Sequence, residues 1–157
     1  MSNSQINENL TLDVQGDVTV RLLDASGAVK SEFTKRNLVV TTGKEYIASR
    51  MHAAVNGGVG DVTAIRVGTG TTIPNATDLA LQTEVASMAF ASAPTRAGRT
   101  VTFRSVFLPG TPAASPSPIT EAGIFNATGL MLNRVVFPVV NKETNDTLEI
   151  IWAITIN

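Results

Sequence analysis

The chain contains no cysteine, which removes disulfides and thiolate-bound metals from the devices that can hold it together. That absence fits synthesis in a reducing cytoplasm. Its one histidine is His52, so metal binding falls to carboxylates, and these are scattered through the sequence as singletons. Charge is sparse: charged residues make up 16% of the chain, against a usual quarter or so. Twelve basic and 13 acidic residues leave a formal net charge of −1, without the Lys and Arg excess that a phosphate-binding surface needs. We therefore expect no nucleic-acid partner. No apolar run approaches the roughly 18–20 residues that cross a bilayer as a helix, so no membrane partner is expected either. The first residues, Met1 to Glu8, show no basic segment and no apolar core of a signal peptide.

What is present is Thr, Val, Ala, Gly and Asn in short alternating stretches. Residues 1–15 are polar at the start and are expected to be a flexible arm; residues 16–157 are expected to be one domain. Val18, Val20 and Leu22 alternate with Asp17, Thr19 and Arg21, as in a strand with one buried face. Asp24-Ala25-Ser26-Gly27 reads as a turn, and Val29, Ser31 and Phe33 continue a hairpin. A third short strand is expected at Leu38–Thr41. A helix is expected at about residues 43–54, with Thr42 and Glu45 at capping-box spacing and Ile47, Met51 and Ala54 forming its apolar stripe. Asn56-Gly57-Gly58 is expected to end it.

Strand patterns resume at Val62–Val67. The stretch Gly68 to Asp78 reads as loop and turn, with a short helical turn near Leu79–Leu81. Residues 82–92 and 99–108 are expected to be two long strands. Residues 109–118 hold four of the seven prolines, a density that no sheet interior tolerates, so an exposed loop is expected. Ile119–Phe125 and Leu130–Val136 form a hairpin around Asn126-Ala127-Thr128-Gly129. Leu148–Ile156 closes the chain as a central strand, because Ile151 and Ala153 make its second face apolar as well. The pattern predicts a mainly β chain: a two-sheet β-sandwich of about eight or nine strands with one short helix.

Chemistry is hard to find in this sequence. His52 sits in the helix, where a surface or interface position is the plain expectation, and no Ser-x-x-Lys spacing occurs. The Gly68-x-Gly70 loop lacks the third glycine and the Lys-Ser or Lys-Thr of a phosphate cradle. Asn-x-Thr triplets begin at Asn9, Asn75, Asn126 and Asn145, and turn formation is their simplest use. Arg66, Arg104 and Arg134 lie within strands, on a solvated face or at ion pairs between subunits. We expect no catalytic, cofactor-binding or metal-binding residues, no cofactor, and no enzyme activity.

Two segments carry a resemblance. Ile65-Arg66-Val67-Gly68-Thr69-Gly70-Thr71-Thr72-Ile73-Pro74 with Asp78-Leu79-Ala80-Leu81, and Ile119-Thr120-Glu121-Ala122-Gly123-Ile124-Phe125 with Met131 to Phe137, resemble motifs of tailed-bacteriophage virion structural proteins. The order of Val140-Asn141-Lys142 and Leu148-x-Ile150-x-Trp152-x-Ile154 extends the similarity, which covers about residues 16–156. Gly16 to Val40, with the helix after it, is similar to N-terminal parts of tail-fibre and appendage proteins. The resemblance implies a virion subunit assembled in the host bacterial cytoplasm, with turns and strand pairings rather than catalytic residues in its motifs. Fibre proteins of this kind usually continue into a shaft, whereas this sequence stops at Asn157, so a free-standing adaptor, collar or decoration subunit, or the whole of a short appendage, is expected. The leading expectation is an adaptor, collar or fibre-attachment subunit of the tail or neck. A capsid decoration protein and a carbohydrate-binding or lytic accessory domain are the alternatives. Expected partners are other virion proteins (tail, neck, fibre or major capsid subunits) and further copies in a homo-oligomer such as a trimer.

Overall fold

The computed structural model describes residues 13–51 and 60–157. Elements follow in the order β1 (Val14–Leu23), β2 (Val29–Val39), α1 (Thr41–Met51), β3 (Val62–Gly68), β4 (Glu84–Ala89), β5 (Thr95–Ala97), β6 (Thr100–Phe107), β7 (Ser117–Asn126), β8 (Met131–Lys142) and β9 (Thr147–Ile156). The chain is mainly β, as its alternation predicts. All nine strands pair antiparallel in one sheet, β4-β3-β7-β8-β2-β1-β9-β6-β5. Hydrogen bonding thus joins into a single curled sheet what the strand pattern suggested would be two stacked ones.

The curl has two narrow joins. β2 lies along β1 from Gly16↔Asn37 to Leu23↔Val29, but it meets β8 only through Leu38↔Arg134 and Val39↔Asn133. On the far side, a lone bridge between Phe90 and Ser105 brings the β4 end back to β6. Between these joins the concave face encloses the main core. Val18, Val20 and Leu22 from β1 meet Leu148, Ile150 and Trp152 from β9, together with Phe103, Phe107, Ile65, Val67, Ile124 and Phe137. The alternation in β1 and β9 is the pattern of one face buried in this way. β9 lies between β1 and β6, the interior position its two-sided apolar character predicts.

Several elements differ from the expected boundaries. β1 starts at Val14, two residues inside the expected arm, because Val14 and Gln15 pair with Ile156 and Thr155. α1 starts at Thr41, and the Thr42 hydroxyl donates to the Met131 carbonyl rather than capping the helix. The stretch 82–92 contributes only Glu84–Ala89, paired with β3 rather than along β6, and residues 95–97 form an unexpected exposed strand on β6. No helical turn forms at Leu79–Leu81. β7 begins at Ser117, inside the proline-rich stretch. Exposed Pro118 is accommodated there because that part of β7 pairs with β8 alone. Residues 1–12, His52, Ala54 and the Asn56-Gly57-Gly58 stop lie outside the described residues.

Candidate functional site

The convex face of β3, β7 and β8 carries a polar centre with no access to water. It depends on an irregularity in β7. Pairing with β8 shifts register between Ile119 and Glu121, and such a bulge re-aims the side chains that follow it. Ile119 therefore joins the main core, while Glu121 faces the opposite way and is 0% exposed. On β8, Arg134 stands opposite Gly123, diagonal to Glu121, and is 2% exposed. With no side chain on Gly123, the guanidinium reaches across the strands. Its Nε and Nη2 donate to Glu121 Oε2 at 3.0 and 2.9 Å.

The carboxylate does more than pair with a cation. Glu121 Oε1 accepts the amides of Gly70 and Thr83, at 3.1 and 2.7 Å, and Oε2 accepts the amide of Gln82 at 3.0 Å. Arg134 Nη1 donates to Asp78 Oδ2 at 2.8 Å, and that same oxygen accepts the Asn75 amide. The Thr120 hydroxyl donates to the Gly70 carbonyl, and Gln82 Oε1 accepts the amides of Thr71 and Thr72. One buried carboxylate thus gathers both ends of the loop 69–83. A charge taken out of water needs this many partners to persist.

The glycines of this loop are there for space. A Cβ on Gly68 would lie 2.4 Å from the Thr83 carbonyl oxygen, and one on Gly70 would lie 2.5 Å from both Gln82 Cβ and Glu121 Oε1. Gly68-x-Gly70 therefore receives a protein carboxylate, not a phosphate. Below the loop a second small core forms from Leu81, Phe125, Met131 and Val40. Arg66 lies over the Phe125 ring at 4.2 Å and pairs with Glu84 at 3.2 Å.

Pinned in this way, the loop holds Ile73 and Leu79 out to solvent, 84% and 68% exposed. Ile73 and Pro74 also form one wall of a groove of about 390 Å³, completed by Lys35 to Leu38 of β2 and Arg134 to Val136 of β8. The groove lies where β2 and β8 diverge. Asn37 lines it, and neither polar atom of its side chain has a hydrogen-bond partner.

The three strand arginines all have partners within the chain: Arg66 on Glu84, Arg104 on Glu149, and Arg134 on Glu121 and Asp78. For Arg134, the expected solvated or intersubunit placement is replaced by burial inside the fold. Glu121 had no assigned role in the sequence. Its signal was a single charge in the apolar run Ile119 to Phe125, matched by Arg134 between Leu132 and Val135. The Asn-x-Thr triplets at Asn75 and Asn126 are turn devices, since each Asn side-chain oxygen accepts both the amide and the hydroxyl of the Thr two residues on. Asp24 makes the equivalent contacts with Ser26 beside Gly27, whose φ is +85°.

A second cluster closes the sheet's other end. Lys142 is buried, donating to the Leu108 carbonyl at 3.1 Å, and burial pushes its pKa below the ordinary lysine value against the pull of nearby Asp146. Burial pushes Asp146 up, but the hydrogen bond from Lys30, the Glu143 amide and the charges of both lysines together hold its carboxyl below the usual range. The cluster anchors the turn between β8 and β9.

Among the described residues, no group of three or more His, Cys, Asp or Glu side chains is placed to hold a metal ion. No described helix is long and apolar enough to cross a membrane. Comparison with protein-family models, with curated proteins and with solved structures finds no match to this chain.

Proposed function

We propose that this chain is a structural subunit of a tailed-phage particle, an adaptor, collar or fibre-attachment piece that works through the faces it shows to neighbouring proteins. The carrying observation is the investment in the 69–83 loop. A fully buried ion pair, three carboxylate-bound amides and two crowded glycines fix a loop whose outward products are two exposed aliphatic side chains, Ile73 and Leu79. Rigid apolar anchors lose little entropy on docking, which suits a protein contact. The two sequence segments that resemble phage structural proteins meet at this centre: one supplies Gly68, Gly70 and Asp78, the other Glu121 and Arg134. In this reading the finer architecture is sandwich-like, with the two halves of the curled sheet facing one another across the shared core.

A carbohydrate-binding role has less support. The aromatic side chains are buried or half-buried in the cores, including Trp152 at 0% exposure, so they build no flat exposed platform. A decoration protein and a tail part share the same surface chemistry and differ in number. Quantitative mass spectrometry of particles purified from the system that encodes this chain tests the reading. A low, fixed copy number that follows tail components during gentle disassembly is expected. A copy number matching the shell subunits would replace the adaptor with a decoration protein, and absence from the particles would overturn both.

A further inference from the structure

We propose that the gap between β2 and β8 is the seat of the N-terminal segment, residues 1–12, of a second copy of this chain. The inference rests on the subunit reading above and names one of its contacts. Beyond Leu38↔Arg134, the facing edges of β2 and β8 have no ladder to each other, while their other edges are occupied by β1 and β7. Two strand edges flanking a groove offer main-chain donors and acceptors to an extended peptide. The lining supplies the rest of the chemistry. Leu38, Val135, Val136, Ile73 and Pro74 are apolar, and Lys35 and Arg36 add positive charge.

The first 12 residues match that chemistry. They contain Ile6, Leu10 and Leu12, one acidic residue, Glu8, and no Lys or Arg. At the groove, Lys35 is exposed and Arg36 reaches Asp17 only at 3.7 Å, so both cations are available to Glu8. Twelve residues span up to about 40 Å when extended, far enough to reach a neighbour.

Direction favours the neighbour over the same molecule. The Asp13 carbonyl accepts the Asn157 amide, and Val14 is already in register with Ile156, so the chain enters β1 paired to β9, with Asp13 to Gln15 also bordering Arg36 to Val39 of β2. Return to its own groove requires a reversal across β2, and residues 1–12 contain neither glycine nor proline to make it. Each copy then gives a segment and receives one, the head-to-tail contact from which closed rings are built.

The absence of native cysteine makes the test direct. A Glu8→Cys variant carrying a mass tag is mixed with an untagged Lys35→Cys variant and oxidised mildly. Mixed disulfide dimers in excess of either self-dimer, abolished by reductant, are expected. A Glu8→Cys/Lys35→Cys double variant that loses its thiols without gaining mass would overturn the proposal, because each segment would then fill its own groove. Absence of mixed dimers in excess would overturn it as well. Light scattering on a chain lacking residues 1–12, with circular dichroism to verify folding, separates this inference from the broader reading. Loss of the oligomer supports the inference. An oligomer that survives the deletion overturns it and leaves the subunit reading intact, whereas absence of the chain from particles removes the reading itself.

Discussion

Arginine meets glutamate in both halves of the curled sheet, under opposite conditions. In the β3–β7–β8 half, Arg134 and Glu121 are 2% and 0% exposed, and the carboxylate also accepts three loop amides. In the β2–β1–β9–β6 half, Glu32, Arg21, Glu149 and Arg104 form a ladder of alternating charge across four strands. Glu149 is shielded there, but its two arginine side chains are 34% and 47% exposed. The same two residue types therefore do different work. On the open face they lie over a sheet already held by continuous strand pairing, and water competes for each contact. On the other face they stand in for strand pairing, since the 69–83 loop has no sheet of its own. The Glu121 carboxylate accepts three of its amides, beside the Thr69–Thr83 and Thr41–Ala76 backbone bonds and the Arg134–Asp78 pair. Dependence on a charge follows from how many groups lose their partner when it is removed.

Glu121→Gln breaks the comparison most sharply. Oε1 accepts two amides, and Oε2 accepts one amide and two guanidinium hydrogens. Whichever oxygen becomes NH2, a donor then faces donors, and Arg134 keeps only the part-exposed Asp78 as a counter-charge. The expected loss is about 3–5 kcal/mol by urea unfolding, a large part of the total stability of an ordinary domain. A second variant shows whether the ion pair or the amides matter more. Replacing both partners, Glu121→Leu with Arg134→Met, removes the buried charges together, and for an isolated pair that change is often neutral. Here the amides of Gly70, Gln82 and Thr83 would still lack an acceptor, at about 1–3 kcal/mol for each that stays buried. The double variant is therefore expected to remain well below wild type. Full recovery would reduce the centre to a simple ion pair.

Gly68→Ala tests the same loop without removing a charge, although its Cβ would also crowd Glu121 Oε1 at 2.5 Å. Its added Cβ would meet a backbone carbonyl, that of Thr83, at 2.4 Å, and backbone yields less readily than a side chain tip. A cost of about 1–3 kcal/mol is expected. Hydrogen exchange should show it locally, with faster exchange at the amides of Gly70, Gln82 and Thr83 and unchanged protection in β1 and β9. Equal loss of protection in both halves would mean that the loop and the main core unfold as one unit.

The sequence made the two regions unequally legible, for a physical reason. Val18, Val20 and Leu22, or Leu148, Ile150 and Trp152, announce their strand because period-two burial is a local property. Glu121 and Arg134 are 13 residues apart, and nothing local says that they touch. Their meeting depends on the β7–β8 register and on the bulge after Ile119, which no propensity specifies. Topology was hidden in the same way. Residues 82–92 and 99–108 read as two long strands, but β4 pairs with β3. It meets β6 only near its end, through the Phe90–Ser105 bridge, the Ala91 amide on the Arg104 carbonyl and the Ser105 hydroxyl at the Met88 and Ala89 carbonyls. The strand at Thr95–Ala97 is exposed at all three of its residues, so it leaves no burial pattern to read. The turns were legible because Asp24, Asn75 and Asn126 each bond within their own few residues.

Arg104→Ala marks the small end of the scale. Arg104 is half exposed on β6, and its partner Glu149 keeps Arg21, whose Nη1 lies 3.0 Å from Glu149 Oε2. No buried charge is orphaned, and β6 keeps its pairing with β9 from Thr100↔Thr155 to Phe107↔Leu148. The expected change in unfolding free energy is about 0–1 kcal/mol, shrinking as added salt screens the exposed pair. Urea midpoints at low and high ionic strength check both parts. A loss as large as that of Glu121→Gln, unaffected by salt, would show that Glu149 holds the open face as Glu121 holds the loop, and the contrast between the two halves would fail.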